Sequence, residues 1–260
     1  MSIVEQLQVI AEKQLDVYNA GYEKGKAEGG GSVENWWQNM IQSRTDWQYV
    51  CYKSTIEETP QDLDSSNVIN MSNMFSECVN LKTVHKLETS NVTDMSSMFN
   101  RCKSLEVIPE LDLQNCTSIQ TAFINCTLIK TIKLKNTGKL KDVGYAFQSC
   151  QVETLEELDL SSVSNFNSTF GGCGYLKNIK IVKNTIKANI NFSWSKLLTK
   201  ESIINIINAL SGDTSGLTIT LSLTAVKKAF ETTKGANDGN TSEEWLNLTA
   251  TKRDWTITLV

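Results

Sequence analysis

The chain has 260 residues but only two prolines, Pro60 and Pro109, and one histidine, His85. A lone histidine rules out a two-histidine metal site, and no partner of the right kind singles it out for a Cys–His pair or a Ser–His–Asp triad. No two cysteines are separated by two to four residues, which removes the zinc-ribbon spacing. The phosphate-binding loops GxxxxGK(S/T) and GxGxxG are missing, and the nearest approach, "GGCGYL" from Gly171 to Leu176, has neither frame. No window approaches the roughly 18 to 20 consecutive apolar residues of a membrane span, so no membrane insertion is expected. Charge of either sign is scarce in excess: the net charge is −4 and the pI near 5.2, which gives no bulk attraction for nucleic acid or an anionic membrane. The start "MSIVEQLQVIAEKQ" lacks the basic end, apolar centre and cleavage site of a signal peptide. The expectation is therefore a chain made in the cytosol that does not leave by the general secretory route, its seven cysteines free thiols. Acidic residues are common, yet nothing singles out a catalytic pair. No enzyme, cofactor or metal is expected.

What is present is a repeat. Phe75, Phe99, Phe123, Phe147 and Phe170 are spaced 24, 24, 24 and 23 residues apart, and each is followed three residues later by Cys78, Cys102, Cys126, Cys150 or Cys173. Four residues before each phenylalanine stands Met71, Met95, Ile119, Val143 or Phe166, and seven before stands Val68, Val92, Cys116, Leu140 or Val163. Offsets of −7, −4, 0 and +3 trace one stripe of a 3.6-residue helix, so "NVTDMSSMFNRC" reads as a short amphipathic helix or helical turn. After each cysteine the period shortens: "LKTVHKL", "LEVIPELDL", "LIKTIKL", "LEELDL" and "LKNIKI" read as short strands. One strand and one short helix in about two dozen residues falls within the period of leucine-rich repeats. Such units bury their apolar stripe only by stacking into a solenoid. The expected fold is an α/β solenoid, a right-handed leucine-rich-repeat stack of short parallel strands and short helices behind an N-terminal helix.

The strands carry Lys82, Glu106, Lys130, Glu156 and Lys177 just after their first apolar residue, alternating in sign. Side by side on parallel strands they form a charge ladder that favours correct stacking, with Glu153 open to sharing the role of Glu156. The same residues with Thr83, Thr131 and Asn178 are the candidate recognition face. The cysteine column is open to two readings, a soft-metal or redox ladder or small buried fillers. The stripe it shares with the phenylalanines favours the fillers.

Four segments follow. Residues 1–31 hold a helix whose Ile3, Leu7, Ile10, Gln14 and Val17 step by four and three like a coiled-coil seam, ended by a glycine-rich joint. Alone it is marginal. It is expected to form a dimer or trimer through residues 1–28, or to dock into a larger assembly, the alternative being that it packs on its own chain. Residues 32–60, with Trp36, Trp37, Trp47, Tyr49 and Tyr52, read as an aromatic cap or an exposed aromatic patch. Residues 61–181 hold the five repeats. Residues 182–260 read as two atypical closing rungs, with a helix of Ile203, Ile206, Ile207 and Leu210 capped by Thr199 and a last strand whose edge needs protection.

The repeats "LETSNVTDMSSMFNRCKSLEVIPE" and "LDLSSVSNFNSTFGGCGYLKNIKI" resemble the BspA-type leucine-rich repeats of bacterial surface proteins. That resemblance implies a non-catalytic module for adhesion or recognition. The flanks "YNAGYEKGKAEGG", "WWQNMIQSRTDWQYV" and "LTATKRDWTITL" look like the ends of repeat proteins encoded by phages and prophages of gut bacteria. They imply a tail- or head-associated virion appendage, with other virion proteins or its own copies as partners and a host-surface protein or glycan as a possible target. A bacterial adhesin outside a virion, in the cytoplasm or released by a signal-independent route, is the alternative.

Overall fold

In the computed structural model, residues 44–61, 63–212, 215–230, 242–252 and 254–260 are described. Successive passes of the chain run parallel, one repeat apart. A column of bridges links Asp46, Asn70, Asp94, Ser118, Asp142 and Asn165 without interruption. A second, less regular column runs through Glu58, Thr83 and Val107 and resumes at Thr131, Thr154 and Asn178. The named strands are short. β1 (Leu111–Asp112) pairs with β2 (Leu134–Lys135), and β3 (Thr154–Leu158) pairs with β4 (Asn178–Ile181). β5 (Ile190–Phe192), β6 (Leu217–Leu221) and β7 (Trp255–Leu259) form a three-stranded parallel sheet in that order.

The stretch expected as a short helix or helical turn is a run of turns and not a continuous helix. From Met95 to Cys102 the chain makes successive four-residue turns: Met98 N–H donates to Met95 O (3.2 Å), Asn100 to Ser97 (3.1 Å) and Cys102 to Phe99 (3.1 Å). The intervening amides of Met95, Ser97, Phe99 and Arg101 donate instead to the next pass, at Ser118, Gln120, Ala122 and Ile124. Turns closed three residues apart bring the same apolar side chains inward as a helix does. They differ in leaving every second amide free to tie one pass to the next. Ser, Thr, Asn and Asp favour this outcome, because their side chains compete for nearby amides in non-helical backbone. Asp94 Oδ1 accepts from Ser96 N–H at 2.8 Å, and Asp46, Asn70, Ser118, Asp142 and Asn165 do the same two residues on.

These turns need a residue in the left-handed region, a conformation that costs a non-glycine residue about 1–2 kcal/mol. Two columns carry it at the repeat spacing: Tyr49, Asn73, Ser97, Thr121, Tyr145 and Ser168, and Lys53, Glu77, Arg101, Asn125, Ser149 and Gly172. At Gly172 an added Cβ would sit 3.0 Å from Ser149 Oγ, so strain and space both suit glycine. Tyr49 and Lys53 fall in phase with the rest, so the pattern begins before residue 61. Trp47 stands fully buried where Met71 stands one pass later, and Cys51 and Ser54 take the phenylalanine and cysteine positions. The described part of the segment expected as a cap is thus another pass of the stack, while Trp36 and Trp37 lie outside the described residues.

The core is one continuous apolar column. Phe75, Phe99, Phe123, Phe147 and Phe170 stack with ring centroids 5.5 to 5.8 Å apart, and Phe192 adds a sixth ring at 4.6 Å. Beyond it the strict spacing lapses. Helix α1 (Lys200–Ala209), capped by Thr199 accepting from Ser202 N–H, buries Ile203, Ile206 and Ile207. It also closes the outer edge of β4: Ser202 Oγ accepts from Ile179 N–H (3.0 Å) and Asn205 Oδ1 from Ile181 N–H (2.6 Å). Helices α2 (Leu223–Ala229) and α3 (Glu243–Ala250) follow, with Phe230 and Trp245 in contact at 5.1 Å. Trp255 Nε1 donates to Ser211 O at 2.7 Å, fixing the start of β7.

Candidate recognition surface

The cysteine column faces inward. All seven thiols are free and buried. Four of them donate to the carbonyl at the phenylalanine position of the preceding pass: Cys78 to Cys51, Cys102 to Phe75, Cys126 to Phe99 and Cys173 to Phe147, at 2.7 to 3.0 Å. Burial pushes the thiols of Cys78 and Cys150 up to about 12, and those of Cys51, Cys102, Cys126 and Cys173 well above their ordinary range. A thiol held protonated is neither nucleophile nor soft ligand at neutral pH. Among the described residues no group of three or more His, Cys, Asp or Glu side chains is placed to hold a metal ion.

The polar face lies on the passes after each cysteine. Lys82, Glu106, Lys130, Thr131, Glu156 and Asn178 are exposed there, and Thr83 and Lys177 are half-buried. Lys82 pairs with Glu57 and Lys177 with Glu153, each at 2.7 Å. The hydrogen bond and charge of Glu57 raise Lys82, and those of Lys177 lower Glu153. The ladder therefore runs Glu57, Lys82, Glu106, Lys130, Glu153, Lys177. Glu156 leaves it, because Thr154 pairs with Thr131 and with Asn178, which sets Glu153 beside Lys130 and Lys177. Glu57 lies in the stretch read as a cap, and nothing there marked it as a rung.

One step of the backbone column beneath this ladder does not close. Between the passes carrying Glu106 and Lys130 there is no Val107–Thr131 bridge and no Glu106–Lys130 ion pair, and the passes meet again only further on, where Lys135 lies 3.5 Å from both Glu110 and Asp112. From Val107 to Leu111 is four residues, whereas from Thr131, one repeat after Val107, to Leu134, the partner of Leu111, is three, so the stretch with Pro109 holds one residue more than the pass that follows it. The opening is a groove of about 930 Å³ lined by Glu106, Val107, Ile108, Glu110, Leu128, Lys130, Thr131 and Lys133. Val107 and Leu128 are 53% and 46% exposed on it. A second surface feature that the repeat pattern did not mark is the exposed trio Tyr175, Trp194 and Leu197, on adjacent passes.

The attachment residues Ile3, Leu7, Ile10, Gln14 and Val17 lie outside the described residues. No described helix is long and apolar enough to cross a membrane. Residues 38–152 and, overlapping them, 117–243 match the family described as Mycoplasma protein of unknown function, DUF285. The chain belongs to this family. The two overlapping matches of the DUF285 family cover the phenylalanine and cysteine columns and α1 together. No curated protein and no solved structure matches the chain.

Proposed function

We propose that this DUF285 chain is a non-catalytic recognition protein, its stacked passes a leucine-rich-repeat solenoid of the BspA kind, and that it serves as a tail- or head-associated phage appendage. The observation that carries the reading is the division of side chains. Phenylalanines and thiols are buried and chemically quiet, while a face of mixed charge around Thr83, Thr131 and Asn178 is turned toward water on the stacked passes. A host-surface protein or glycan would meet that face, and residues 1–28 would attach the chain to virion proteins or to its own copies. Deleting residues 1–28 should abolish oligomer formation and particle incorporation while the remainder stays folded. Unchanged mass by light scattering together with unchanged incorporation would sink the proposal.

The Mycoplasma description of the family favours a second reading, a bacterial adhesin or interaction protein outside any virion. Fractionating producer cells and purified particles separates the two.

A further inference from the structure

The open step beneath the charge ladder has the character of a built cleft. Elsewhere the passes are tied by backbone bonds of one pattern, as where Val84 N–H donates to Val107 O (2.9 Å) and Val107 N–H to Lys82 O (3.1 Å). One pass on, the equivalent donors are Ile108 and Thr131, and among the described residues neither has a backbone partner. The stack is closed on both sides of the gap. Leu111 N–H reaches Lys133 O at 3.0 Å, and Thr127 Oγ1 reaches Lys103 O at 3.3 Å. The extra residue beside Pro109, which itself lacks an N–H, holds this one step apart.

The walls are complementary to something other than each other. Glu106 makes no ion pair with Lys130; Lys82–Glu106 and Lys130–Glu153 also lack one, but those steps are bridged through the backbone, whereas here side chains and backbone are both apart. Lys133 has no ion-pair partner among the described residues, and Glu110 reaches only Lys135, at 3.5 Å. An acidic wall and a basic wall thus flank a strip of Val107, Ile108 and Leu128. Free backbone groups on strand-like edges offer pairing to another backbone. Opposed charges on either side of an apolar strip select a guest with opposed charges about an apolar centre.

We propose that this groove binds an extended peptide segment of a partner protein. A basic side chain of the peptide lies against Glu106 and Glu110, an acidic one against Lys130 and Lys133, and an apolar one on Val107 and Leu128. This rests on the reading of the polar face as the recognition surface and narrows it to one step.

The probe is a fluorescein-labelled peptide, acetyl-Thr-Lys-Val-Glu-Thr-amide, titrated by anisotropy against the full chain. Its comparators carry two lysines, two glutamates, or serine in place of the valine. Saturable binding is expected for the mixed-charge apolar peptide, with each comparator at least tenfold weaker. Deleting Pro109, which restores equal lengths on the two passes, should cost at least tenfold. Val107→Glu, at an exposed position, should do the same without risk to folding, and thermal melting checks both variants. No saturable binding at millimolar peptide, or saturation by maltohexaose with none by peptide, overturns the proposal. If binding responds to Lys82→Glu and Asn178→Arg but not to the groove variants, the groove falls and the recognition face stands. If it responds to none of them, both fall.

Discussion

The turn side and the strand side of the stack are built by the same passes of chain, yet they keep register to different degrees. On the turn side the bridges from Asp46 to Asn165 are unbroken, and two left-handed columns recur six times. On the strand side the spacing slips at Pro109 and again within β3, where the pairing shifts between Leu155 and Leu158. A register held by one side frees the other to vary. The turn side also has a device that limits its own electrostatic cost: its column reads Asp46, Asn70, Asp94, Ser118, Asp142, Asn165, so no two aspartates are neighbours. Carboxylates stacked on adjacent parallel passes would repel.

If the turn side holds the register, the largest effect should come from ionising its buried thiols. Cys78 and Cys150 are pushed by burial from an ordinary value near 9 up to about 12. The unfolded chain therefore loses these protons first as pH rises. Stability is fully present below about pH 9 and is lost as pH climbs toward 12. Circular dichroism against pH should show unfolding within that window, with thiol titration by a disulfide reagent slow at pH 8 in native protein and complete in denaturant. A fold stable to pH 12 breaks the comparison.

Next in size is the ring column. Phe123 is fully buried between Phe99 and Phe147, and Phe123→Ala should cost about 3–5 kcal/mol in denaturant unfolding. Leu128→Ala on the groove should cost far less, about 0.5 kcal/mol, because nearly half of Leu128 is in water already.

How much of this was legible in the sequence follows the same division. The phenylalanine and cysteine columns could be read because their residues recur in phase. Their backbone could not, since inward offsets of three and four suit a helix and a run of turns alike. The pass through Trp47 was hidden by Cys51 and Ser54 standing where the pattern calls for Phe and Cys. On the strand side the sequence left the rung open between Glu153 and Glu156, and the groove could not be read at all: both depend on which residue pairs with which, and a local slip of one residue is invisible until the pairing is known.

Two smaller changes sharpen the turn side. Asn165 Nδ2 donates to Asp142 Oδ1 at 2.9 Å. Asn165→Asp removes that donor and sets two carboxylates side by side, which should cost about 1–2 kcal/mol in the same unfolding assay. Ser195 stands at the cysteine position of the pass through Phe192, fully buried, with its hydroxyl unpartnered. Ser195→Cys replaces a strong unpaired donor with a weak one that suits the column, and should stabilise by about 1 kcal/mol.

The smallest effect should come from the strand side's own ion pairs. Lys82 and Glu57 meet at 2.7 Å, but both side chains are more than half exposed. Water screens the attraction, and two long side chains must be held still to keep it. Breaking the pair with Lys82→Met should leave the unfolding midpoint unchanged within error, in low salt and at 0.5 M sodium chloride alike. A clear loss of stability that salt abolishes would mean that this ladder, and not only the turn side, sets the register.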